Sequence, residues 1–132
     1  MKRYTQTLKV RSYELDAQGH VNYAVYLNYC EYARVAIMER LGIPFQGYFN
    51  HGIYIVVAEA KLKYVSPAFL GDELEITLEG IKEGRTSLVF RQDIFNVQSG
   101  KKIFEAEMVA VFIDAKGKPI PMDPKFRDVF FE

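Results

Sequence analysis

The chain has 132 residues, 49% apolar and 26% charged, with 17 basic side chains balanced by 17 acidic ones. That length suits one domain over residues 1–132, the composition excludes a disordered chain, and the charge balance excludes the broad positive field of a nucleic-acid binder. A single Cys30 forbids an internal disulfide, and no run reaches the ~18 uncharged apolar residues of a membrane span.

These features set the expectation of a cytoplasmic protein with neither nucleic acid nor membrane as partner. Nine Tyr and ten Phe in so short a chain imply a large buried face, a self-associating surface or a pocket for an apolar ligand.

Met1 to Thr5 lead straight into alternation, without the apolar core of a signal peptide. Tyr4, Gln6, Leu8, Val10 and Ser12 alternate with Thr5, Thr7, Lys9 and Arg11, which predicts a first strand over 4–14. Asp16-Ala17-Gln18-Gly19 is loop composition. From Asn22 or Tyr23 to Leu41 the pattern is helical, with Asn22 as a candidate N-cap and Gly42 before Pro44 as the stop. Asn28, Glu31, Arg34 and Glu39 share one polar stripe, and apolar residues fill most of the remaining circumference. So wide an apolar face predicts a helix largely enclosed by other structure.

Residues 44–52 read as a short irregular or helical link. Four strands follow over about 54–66, 73–83, 86–98 and 102–114, separated by Pro67, Gly71-Asp72, Gly84 and Ser99-Gly100 and ended by Gly117. Helical and strand segments are segregated along the chain. That predicts an α+β domain with a curled antiparallel five-stranded sheet around one long helix. The aromatic C-terminal segment 122–132 is expected to pack on a partner subunit or on the outer face of the sheet.

The stretch Asp16-Ala17-Gln18-Gly19-His20-Val21-Asn22-Tyr23 puts a carboxylate, a glycine turn, an imidazole and an amide just before the helix. The first N–H groups of a helix lack internal partners and its dipole is positive there, so such an end can hold an anion. A carboxylate across a carbonyl held at that end could attack it or activate a water. By local chemistry alone, an Asp in such a loop is more often a turn or capping residue, and His20 and Asn22 could equally serve as caps.

Asp16, Gly19-His20-Val21-Asn22, Tyr26, Tyr29 and Glu31-Tyr32-Ala33-Arg34 occur in the order that marks the 4-hydroxybenzoyl-CoA thioesterase-like family of hot-dog proteins. A second block, Tyr64-Val65-Ser66-Pro67-Ala68 followed by Gly71-Asp72-Glu73-Leu74, strengthens the resemblance, which covers about residues 4–115. The resemblance implies the hot-dog fold and hydrolysis of an acyl-CoA or acyl-carrier-protein thioester, without cofactor or metal. It implies a homodimer or homotetramer, with substrate entering between subunits. Carried over by position, Asp16 is the nucleophile or general base and the Tyr23 backbone N–H the oxyanion donor, with His20 and Asn22 beside them. Gly19, Tyr26, Tyr64, Ser66 and Pro67 then border the substrate, and Arg85 in the hairpin turn grips CoA phosphate. Tyr23 departs from the second Asn of many relatives with Gly-His-Val-Asn-Asn, which leaves the acyl preference open.

Two other readings compete. Asp16 with His20 superficially resembles the carboxylate–His pair of a hot-dog hydratase or dehydratase, and a non-catalytic acyl-CoA-binding or scaffold protein would share the fold. Glu59, Lys61 and Lys63 read as the solvated face of a strand, Glu31 with Arg34 as an ion pair, and Cys30 as core. Two His and one Cys, scattered as they are, make no zinc site.

Overall fold

The computed structural model describes residues 2–131. In chain order the elements are β1 (Arg3–Lys9), α1 (Val25–Arg40), α2 (Phe45–Asn50), β2 (Tyr54–Tyr64), β3 (Glu73–Glu83), β4 (Ser87–Asn96), β5 (Lys102–Ile113) and α3 (Pro124–Phe131). The five strands form one antiparallel sheet in the order β1-β3-β4-β5-β2. This is the hot-dog arrangement expected, with α1 lying on the concave face.

Alternation builds that face. Leu88, Phe90, Gln92 and Ile94 of β4 are buried beneath α1, and the neighbouring rungs Ala106 and Met108 of β5 point the same way. From the helix, Tyr26, Tyr29, Cys30, Ala33 and Ile37 recur at intervals of three and four and are buried against them. Each large apolar side chain so enclosed contributes about 1.5–3 kcal/mol. A polar rung runs through this core: Gln92 Nε2 donates to the Cys30 carbonyl at 3.0 Å, and Arg34 donates to Gln92 Oε1 at 2.8 Å. Burial pushes the Cys30 thiol up to about 12, so it stays a protonated core residue.

Two boundaries next to the Asp16 loop differ from the sequence reading. β1 stops at Lys9 rather than continuing to residue 14, because its ladder with β3 ends where β3 begins, at Lys9↔Glu73. A 3-10 turn at Ser12–Glu14 follows instead. The regular helix starts at Val25, with Ala24 as its N-cap and no side-chain capping bond. Asn22 closes the turn leading in, its Oδ1 accepting the Ala24 N–H at 3.0 Å.

The helix is also less enclosed than its composition suggests. Leu27, Tyr32 and Val35 are exposed, so within one protomer the sheet covers only one side of α1. The C-terminal segment forms α3 and turns inward: Phe126 and Phe130 are buried, and the Phe126 ring meets Phe112 at 5.1 Å and Phe130 at 4.8 Å. Gly80 permits that packing, since a Cβ there would lie 2.9 Å from the Phe131 ring.

Candidate active site

Two loops meet at the N-terminal end of α1. In the first, Asp16 N–H donates to the His20 carbonyl at 2.7 Å and Gly19 N–H to the Asp16 carbonyl at 3.1 Å, closing a tight turn. Gly19 takes φ of +84° there, a conformation open to glycine at little cost. The second loop, Tyr64 to Asp72, docks on the first. Val21 N–H donates to the Ala68 carbonyl at 2.9 Å, Ala68 N–H donates to the Tyr26 hydroxyl at 3.3 Å, and His20 pairs with Phe69. The two sequence blocks are therefore one structural unit.

Between the loops lies an open cleft of about 340 Å³, lined by Asp16, His20, Val21, Tyr23, Tyr26, Tyr64, Val65, Ser66 and Pro67. Asp16 Oδ1 accepts backbone N–H groups from Gln18 at 2.8 Å and His20 at 3.3 Å. Its turn-forming role is thus real, but it occupies one oxygen and leaves Oδ2 without a protein partner among the described residues. The Tyr23 N–H likewise has no acceptor among them, because the first turn engages Ala24 N–H and Val25 N–H with Asn22 instead. A half-free carboxylate and an unoccupied backbone donor thus border the same cleft.

The remaining expected residues divide by the bonds they make. Tyr64 donates its hydroxyl to the Tyr23 carbonyl at 2.8 Å, fixing the peptide next to the free donor. Tyr26 is buried and stacked on Phe104 at 5.2 Å, so its ring forms a wall of the cleft; burial raises its hydroxyl, partly offset by the Ala68 N–H. Ser66 commits its hydroxyl to the Lys102 carbonyl at 2.7 Å, a loop-holding role. The His20 ring packs edge-to-face on Phe69 at 5.1 Å, and what His20 offers Asp16 is its backbone N–H, not its imidazole. Gly19 shapes the turn without lining the cleft. Arg85 is not brought to the cleft within one protomer. It sits in the β3–β4 turn, whereas the cleft adjoins the Tyr64↔Phe104↔Ile94 rung, about 30 Å away along β4.

Sequence reading missed the residues behind the first loop. Glu14 is buried, and its carboxylate takes the Tyr29 hydroxyl at 2.8 Å and the Arg11 guanidinium at 2.6 Å. Its position in an apparently continuous strand disguised it. Beyond the cleft, a groove of about 770 Å³ runs between α1 and β2, past Leu27, Val35 and Val57 to Arg34. Glu31 lies 3.6 Å from Arg34 at its margin, as the i,i+3 spacing suggests. Among the described residues no helix is long and apolar enough to cross a membrane.

Comparison with known proteins places the chain in a family. The Thioesterase-like superfamily model matches residues 10–130. The chain is 34% identical to the long-chain acyl-CoA thioesterase FadM of Escherichia coli K12, over 92% of each protein. It is 33% identical to the chloroplastic acyl-acyl carrier protein thioesterase ATL3 of Arabidopsis thaliana over 93% of this chain, but spans only 65% of that relative's length. Among solved structures, the probable thioesterase YbaW of Escherichia coli superposes with a TM-score of 0.79 at 31% identity, covering 94% of this chain and 93% of that one. The chain therefore belongs to the thioesterase-like superfamily of hot-dog proteins.

Proposed function

We propose that the protein hydrolyses acyl thioesters of coenzyme A or acyl-carrier protein, with Asp16 at the reaction centre. The observation that carries this reading is the free Asp16 Oδ2 and the unpartnered Tyr23 N–H on one cleft. The thioester carbonyl oxygen points at the Tyr23 N–H, and Oδ2 either attacks the carbonyl carbon or takes a proton from an attacking water. Charge that develops on the oxygen meets a donor already in place beside a positive helix end, a contribution of about 3–4 kcal/mol in enzymes that use one such donor. Where water attacks, the C–S bond breaks and the proton taken by Oδ2 passes to the leaving thiolate. Where Oδ2 attacks, the thiolate leaves an acyl–Asp16 anhydride, and a water then hydrolyses it, freeing the acid, restoring the carboxylate and supplying the proton that the thiolate takes up.

The names of FadM and ATL3, which act on acyl-CoA and acyl-carrier-protein thioesters respectively, support the substrate class. The His20 ring, turned onto Phe69, is not placed to work with Asp16 as a hydratase pair. Two protomers are proposed to join through the β2 edge, and Arg85 reaches CoA phosphate from the partner subunit.

Thiol release from a panel of acyl-CoA and acyl-carrier-protein thioesters tests the reading. Wild type should turn over at least one of them, and Asp16→Asn should lower kcat about 10²–10⁴-fold, the range for removing a general base. Near-normal turnover by Asp16→Asn would refute it.

A further inference from the structure

We infer that Glu14 is a positioning residue for Asp16, held from the interior of α1 by Tyr29; the inference rests on the function proposed above. Glu14 is 7% exposed and Tyr29 1%. All four of the hydrogen bonds on the Glu14 carboxylate are short. Oε1 accepts the Tyr29 hydroxyl at 2.8 Å and the Arg11 backbone N–H at 2.8 Å, while Oε2 accepts Arg11 Nε at 3.0 Å and Nη2 at 2.6 Å. Glu14 also closes the loop through its main chain, its carbonyl accepting the Asn22 N–H at 2.9 Å. Both ends of the Asp16 turn therefore converge on one residue.

Geometry connects this clasp to Asp16. Leu15, between them, is extended (φ −84°, ψ 150°) and bridges to Val21. Asp16 follows Leu15 directly, so the clasp on Glu14 and the Leu15–Val21 bridge together hold the backbone from which the Asp16 side chain projects. The anchor lies in the helix itself: Tyr29 belongs to the first turns of α1, whose N-terminal approach carries the Tyr23 N–H. One clasp thus ties the carboxylate and the oxyanion donor to a common frame.

The clasp also stabilises the fold, because the bonds from Arg11 and Tyr29 outweigh the cost of burying the ionised carboxylate. A directional clasp two residues from the reacting group does what an apolar contact cannot: it fixes orientation. Displacing a reacting group by about 1 Å can cost about 100-fold in rate.

The test compares Tyr29→Phe, Glu14→Gln and the double variant with wild type and Asp16→Asn, measuring kcat, KM and melting temperature on one thioester. Tyr29→Phe should lower kcat about 10- to 100-fold, with KM and melting temperature close to wild type. Glu14→Gln, which keeps an acceptor for Tyr29, should retain more activity. The double variant should be no worse than the poorer single one, because both act through one clasp. Unchanged kcat in Tyr29→Phe, beside an inactive Asp16→Asn, would overturn this inference and leave the proposed function standing. A kcat loss that merely follows a lowered melting temperature, or a rise in KM with kcat held, would also overturn it. Normal turnover by Asp16→Asn would instead remove the proposed function itself, and the positioning role with it.

Discussion

The two edges of the sheet are treated in opposite ways. β1, seven residues long, is partly covered: Arg40 of α1 donates to the Thr5 carbonyl at 2.8 Å and to Gln6 at 2.7 Å, and the Tyr4 hydroxyl donates to the Val129 carbonyl of α3 at 2.6 Å. β2, eleven residues long, is bare: Val56 and Val57 are 39% and 44% exposed, and no further strand pairs its free side among the described residues. An exposed edge of that length invites pairing with another chain. The cleft holding Asp16 opens beside the end of β2, and the exposed Leu27 and Val35 of α1 line the groove along it. Packing is concentrated on the covered side, and the proposed chemistry lies on the open side. The two sides should therefore separate under mutation.

The sharpest separation comes from Phe130, packed on Tyr4 at 5.7 Å and on Phe126. Phe130→Ala leaves a cavity at the covered end and should destabilise the fold by about 3–5 kcal/mol. Denaturant unfolding should register that loss while kcat of the folded fraction stays near wild type. A large fall in kcat at full folding would show that the two sides are not separable.

A smaller effect is expected on the bare side. Val57 pairs with Ala110 on one flank and offers nothing but its open edge on the other. Val57→Lys places a charge on that edge, the device by which natural edge strands resist pairing. Self-association should weaken about tenfold or more, equivalent to about 1.4 kcal/mol, with the monomer's melting temperature little changed. Sedimentation against concentration reads it directly. Unaltered association would move the interface away from β2.

How much of this was legible follows from what periodicity encodes. The strands expected over 73–83, 86–98 and 102–114 were legible to within two residues of Glu73–Glu83, Ser87–Asn96 and Lys102–Ile113, because period-two patterns bounded by turn residues report a sheet. The two sequence blocks that border the cleft were legible as ordered motifs. Their docking was not, since Val21 with Ala68 and His20 with Phe69 are contacts between distant segments with no local signature. The same limit hid Glu14, whose partner Tyr29 lies fifteen positions away. The exposed flank of α1 also misled: apolar residues there read as core, because a pattern cannot distinguish burial within a chain from burial against another.

Glu14 joins the two sides, and acid should expose it. Burial by itself would raise its carboxyl, but the Arg11 guanidinium and N–H and the Tyr29 hydroxyl outweigh that and hold it below the ordinary carboxylate value of 4.5. The unfolded chain therefore binds a proton at a higher pH than the folded one does. The stabilisation is complete above the unfolded value and is lost as pH falls through the folded value. Glu105, held down chiefly by its bond from Lys102, shifts in the same direction on the outer face, so wild type alone would blend the two contributions. The difference between wild type and Glu14→Gln isolates the first. Their melting temperatures should converge as pH drops below about 4.5, the smallest of these effects. Parallel curves across that range would mean that the ionised form of Glu14 contributes nothing to the fold, and the clasp would then rest on its neutral hydrogen bonds.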